Sequence, residues 1–186
     1  KSSVLASDFL RASGSLLRSM SFSELERLAN LIDGLAKHSV EFSSECLGSS
    51  QEILPNLVEG RESLLSLLNS VADENWRDVK VCFDSGANAI PRIEHSQKGR
   101  FIDLAERLMR TGYRGIPSFL ADGSRSLNQV QNQLHGLILT LGEALLIVHP
   151  AALPEFLKSA PTVLSRISPQ QLELWFAEGA RILREN

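Results

Sequence analysis

The sequence predicts an all-α fold, an α-solenoid of the HEAT/armadillo kind with about five helical repeats of 36–37 residues in a single domain spanning 1–186. Three observations predict it. A twelve-residue pattern recurs five times: it begins at Phe9, Cys46, Cys82, Phe119 and Phe156, with starts 37, 36, 37 and 37 residues apart, a period typical of stacked helical units. Apolar residues recur inside each copy at helical spacing. No stretch alternates apolar and polar residues over a strand length, so no sheet is expected.

The elements follow when each copy is counted from its first residue as zero. Position +8 is Leu17, Leu54, Ile90, Leu127 and Leu164, and position +11 is Met20, Leu57, Ile93, Val130 and Ile167. Residues three apart on a helix share a face, so these two positions point into one core. Farther on, +19 (Leu28, Leu65, Phe101, Ile138, Trp175), +22 (Leu31, Leu68, Leu104, Leu141) and +26 (Leu35, Ala72, Leu108, Leu145, Ile182) form the apolar stripe of a long helix. Glu178 breaks the +22 series and would be polar where a following repeat should pack, unless it sits at the end of the stack. Long helices are therefore expected near 22–36, 60–73, 97–111, 132–148 and 169–184, the last opened by Ser168 as cap and Pro169 as first helical residue. Medium helices are expected near 2–10, 38–47, 74–83, 114–120 and 150–157.

Between the two, the pattern predicts a short third helix in every unit. Position +4 is small in all copies (Ser13, Ser50, Gly86, Gly123, Ala160), which fits a sharp change of direction. Position +3 supplies N-cap types in Ser49, Ser85, Asp122 and Ser159, with Ser49 and Glu52 at capping-box spacing and Pro161 in a first turn. On this reading, replacing Asp122 by Ala removes a cap, at a cost of about 0.5–2 kcal/mol.

Composition excludes several functions. Apolar content is 43%, charged content 22%, and the formal net charge is −3, which is ordinary for a globular domain and leaves no basic footprint for nucleic acid or an anionic membrane. The longest apolar run, Leu137–Val148, is too short to span a bilayer, and no signal peptide is visible, so a cytoplasmic location is expected. Repeat one begins almost at once and repeat five stops in its long helix, which reads as a piece of a longer protein. The apolar residues Trp175, Phe176 and Ile182 of the last helix would then be open to self-association. Cys46 and Cys82 both fall on the first pattern position, where other copies have Phe, so they read as buried apolar side chains, with no zinc spacing.

No motif carries chemistry in its proper context. Asp122-Gly123-Ser124-Arg125-Ser126 spells D-x-S-x-S, a cation-binding motif of von Willebrand A domains. There it follows a buried strand, whereas here it lies inside the helical repeat and Asp122 reads as a cap. His38, His95, His135 and His149 lack metal-ligand spacing. No metal or other cofactor is expected, and no enzyme. Between Arg92 and Arg125 there are seven Lys or Arg and four Asp or Glu. Part of this is a solvated helix face with i, i+4 pairs, Asp103 with Arg107 and Glu106 with Arg110. The sharper expectation is a docking strip for an acidic protein surface, carried by Lys98, Arg100, Arg110 and Arg114.

FLKSAPTVLSRI followed by SPQQLELWFAEGARIL, with Trp175 and Gly179 at W-x-x-x-G positions, resembles the helical-repeat region of bacterial accessory proteins. Those proteins carry a C-terminal von Willebrand A domain and work with AAA+ ATPases of the MoxR type, as in nitric-oxide reductase and Rubisco activation. The match is best over Phe156–Leu183. Earlier copies lack the Trp, having Leu28, Leu65, Phe101 and Ile138. The resemblance implies a scaffold or adaptor that positions a protein partner, an AAA+ ATPase or another domain of the same parent chain. The von Willebrand A domain lies outside this sequence, so no metal residues carry over. The alternative is a helical enzyme or ligand-binding domain with a site in the solenoid groove.

Overall fold

A computed structural model describes residues 18–166 without a break, together with Ser7, Gly14, Leu16, Gln171, Leu174, Glu178 and Arg181; for 86–89 and 91 it describes the backbone alone. The expectations for Phe9, the 2–10 helix, the Ser168–Pro169 start, and Trp175, Phe176 and Ile182 lie outside the described residues. Among those described, every regular element is helical.

Eight α-helices alternate long and medium: α1 (Phe22–Ala36), α2 (Val40–Ile53), α3 (Arg61–Asn75), α4 (Asp78–Ala89), α5 (His95–Arg110), α6 (Ile116–Leu127), α7 (Asn132–Val148) and α8 (Leu153–Leu164). The long helices fall within two residues of the expected positions. Local chemistry explains several ends. Ser21 caps α1 in a capping box with Glu24: the Glu24 N–H donates to Ser21 Oγ (3.3 Å) and the Ser21 N–H to Glu24 Oε2 (2.6 Å). Ser39 Oγ accepts from the Phe42 N–H at the start of α2 (3.2 Å). Gly60 opens α3 at φ 85°, a left-handed conformation that favours glycine, and a Cβ there would lie 2.7 Å from Gly99 Cα of α5. The backbone of one long helix thus approaches the next at its first turn.

The expected short third helix is absent from the described units. Each medium helix runs through position +4, ending in a single 310 turn at Leu54–Asn56 and Ile90–Arg92. Ser49, Asp122 and Ser159 therefore stand inside helices and cap nothing. The serines have a different use. Ser50 Oγ donates to the Leu47 carbonyl (2.7 Å), Ser159 Oγ to that of Phe156 (3.1 Å), and Ser124 Oγ to that of Leu120. Ser49 donates to Asp84 on α4 (2.9 Å), not to a helix start. The small +4 residue serves packing. A Cβ on Gly123 would come 2.9 Å from Phe101 Cε2, so glycine is what lets α6 sit against α5.

The helices pack in two rows. α1, α3, α5 and α7 each lie against the next long helix, and α2, α4, α6 and α8 each against the next medium one, while each long helix also touches the medium helix that follows it. The apolar stripe fills the space between: Leu28, Leu65, Phe101 and Ile138 are at most 1% exposed, each such burial contributing roughly 1.5–3 kcal/mol. Phe101 stacks on Phe119, with ring centroids 5.7 Å apart. Of the pattern's first positions, Cys46, Cys82 and Phe119 are buried, whereas Phe156 is half-buried, α8 being the last described member of its row. Glu178 is exposed.

Candidate protein-interaction site

The four basic residues expected to form one strip go to different places. Lys98 is buried in the first turn of α5. Arg100 reaches α7 and closes on Glu143 with two parallel bonds, Nε to Oε1 (3.0 Å) and Nη2 to Oε2 (2.9 Å), with Thr140 Oγ1 also accepting from Nη2 (3.0 Å). That bidentate pair ties two long helices together and neutralises the guanidinium. Arg110 pairs with Glu106 (2.6 Å), the expected i, i+4 partner, and Glu106 also accepts from Ser66 on α3 (3.0 Å). Asp103 and Arg107 make no such pair. Arg114, in the turn between α5 and α6, has no ion-pair partner among the described residues. The strip thus does not offer four free cations to an acidic partner.

Lys98 belongs to a set that the sequence reading did not single out. Three long helices begin with a buried basic side chain: Arg61, Lys98 and His135 are 3%, 8% and 0% exposed. Arg61 Nε donates to the Leu54 carbonyl (2.8 Å), and Nη1 donates to the Ser19 carbonyl and to Glu24 Oε2 (3.2 Å). His135 Nε2 meets the Leu127 carbonyl (2.8 Å), while Nδ1 accepts from the Glu94 N–H (3.2 Å), which assigns the proton to Nε2. Leu54 and Leu127 are equivalent +8 residues, whose carbonyls fall at a helix end, accept the N–H three residues on (3.3 and 3.1 Å) and gain the side chain as a second donor. The recurrence at +15 or +16 was the available signal.

An open cleft lies where the ends of α3 and α5 meet the start of α4 and α6. It has a volume of about 270 Å³ and is lined by Val71, Glu74, Asn75, Asp78, Met109, Arg114, Ile116 and Pro117. A neighbouring hollow of about 220 Å³ shares Glu74 and Met109 and adds Ser70, Asp73, Glu106 and Arg110. Among the described residues, Asp73, Glu74 and Asp78 have no ion-pair partner. Beside it, Trp76 stacks on His38 (5.2 Å between centroids), meets Phe42 edge-on (4.9 Å) and carries the Arg77 guanidinium 4.6 Å above its ring. This cluster clamps the α3–α4 turn to the α1–α2 turn and narrows the freedom of the cleft wall.

The remaining motifs are occupied. Asp122 pairs with Arg125 (3.2 Å) on the surface of α6, while Ser124 is buried and bonded within the helix, so the D-x-S-x-S side chains do not converge. Among the described residues, no group of three or more His, Cys, Asp or Glu could hold a metal ion, and no helix is long and apolar enough to cross a membrane. Burial pushes the Cys46 and Cys82 thiols up to about 12, so neither forms a thiolate at neutral pH. No protein-family model, curated protein or solved structure matches the chain.

Proposed function

We propose that this chain is a protein-interaction domain without catalytic activity, an α-solenoid that positions a protein partner or another domain of its own parent chain. The observation that carries the reading is the division of the charges. The two rows of helices take Arg61, Arg100 and His135 into bonds between helices and bury Lys98, while Asp73, Glu74, Asp78 and Arg114, without an ion pair among the described residues, gather around an open cleft at the turn edge. A stack with a fixed inner stripe and a variable edge is suited to recognition. Charge at such an edge acts mainly on association rate and partner choice. The resemblance of Phe156–Leu183 to helical regions that work beside AAA+ ATPases supports an ATPase, or a domain delivered to one, as the partner. Arg110 and Arg114 are the residues of the basic strip that remain at the cleft.

The test is affinity capture with the purified domain at low and high ionic strength, each captured protein then being purified and titrated directly. A protein that binds directly, and more weakly as salt rises, is the expected result. A chemical reaction catalysed by the purified domain would overturn the reading.

A further inference from the structure

The expected acidic partner fits the cleft poorly, and its charge balance says why. Asp73, Glu74 and Asp78 line the two hollows unpaired, against one unpaired guanidinium, Arg114, since Arg110 is held by Glu106. The apolar lining of the larger hollow is Val71, Met109, Ile116 and Pro117. At about 270 Å³ the larger hollow is below the roughly 300–1,000 Å³ of sites for drug-sized ligands. Its continuation past Glu74 and Met109 into a second hollow gives two adjoining recesses rather than one closed cavity. That form suits successive side chains of a peptide. Long basic side chains lay their methylene stems on apolar surface and keep the charged head at its polar rim.

From this we infer that the cleft binds a partner segment in which arginine or lysine alternates with an aliphatic residue, stems against Val71 and Met109 and heads at Asp73, Glu74 and Asp78. The inference rests on the protein-interaction reading and gives the partner's chemistry the opposite sign to the one the sequence implied.

The chain has two methionines, Met20 and Met109, and only Met109 lines the cleft. A short arginine–leucine peptide titrated into methyl-labelled protein should shift the Met109 resonance and leave Met20 in place. A matched glutamate–leucine peptide should shift neither. Asp73 and Glu74 are exposed on α3, so Asp73→Lys/Glu74→Lys should melt like wild type while weakening the basic peptide about tenfold or more. Failure of the basic peptide to move Met109, equal binding of the acidic peptide, or unchanged affinity in the variant would each overturn the inference. A partner captured equally by Asp73→Lys/Glu74→Lys would do the same and leave the interaction reading standing.

Discussion

Arg61 and His135 occupy comparable places at opposite ends of the described stack and solve one problem in two ways. Each sits in the first turn of a long helix, is buried, and serves a +8 carbonyl at the end of the preceding medium helix at 2.8 Å. The imidazole does so as a neutral group with both ring nitrogens used. The guanidinium brings a charge: Glu24 answers it, the Ser19 carbonyl takes a further bond, and Nη2 is left buried with no partner. What the two sites share is therefore a second N–H donor to the helix-end carbonyl, not a cation. What differs is the desolvation that the donor carries with it.

That difference orders the expected effects of mutation. Arg61→Ala should be the largest, about 3–5 kcal/mol, because it takes from Glu24 its ion-pair partner and from the Leu54 carbonyl its shorter bond. Urea denaturation measures it, and a cost below that of the histidine change would break the comparison. His135→Ala leaves the Glu94 N–H without its partner and the Leu127 carbonyl with the Val130 N–H alone, for about 1–3 kcal/mol by the same measurement.

Acid should separate the two ends as well. Burial pushes the Glu24 carboxyl up, but the Ser21 N–H and hydroxyl and the Arg61 guanidinium outweigh it and hold the group below 4.5. A depressed folded value means the contribution is complete above the unfolded value and is lost as pH falls through the folded one. Wild type should therefore lose stability below about pH 4.5 more steeply than Glu24→Gln in thermal melts across that window. Parallel curves would remove Glu24 from the Arg61 end.

The smallest effect belongs to a residue in neither set. Asp122 pairs only on the surface of α6, so Asp122→Ala should change stability by no more than about 0.5 kcal/mol, not by the loss expected of a cap. A cost of about 1 kcal/mol or more would restore the cap reading.

The long helices were legible because their evidence is periodic: Leu28, Leu65, Phe101 and Ile138 repeat in sequence and are buried in the fold. The medium helices were misread because serine serves two purposes. Its hydroxyl caps a helix start at Ser21 and bonds backward inside a helix at Ser50 and Ser159, and the sequence is compatible with either. Gly123 likewise reads as a break until Phe101 is known to press against it. Clustering in sequence failed for the basic strip because α5 spreads its residues over several faces. Lys98 turns inward, Arg100 toward α7 and Arg110 beside Glu106. The cleft was out of reach of local patterns altogether, since Glu74 and Arg114 come together only through the packing of different helices.

The central claim is that the chain is a stack in which Arg61 and His135 each tie only neighbouring units. Native-state hydrogen exchange on Arg61→Ala tests it most directly. The expected result is faster exchange at α1, at the end of α2 and in the first turn of α3, with α6, α7 and α8 protected as in wild type. An equal loss of protection in all eight described helices would show one cooperative core and contradict it.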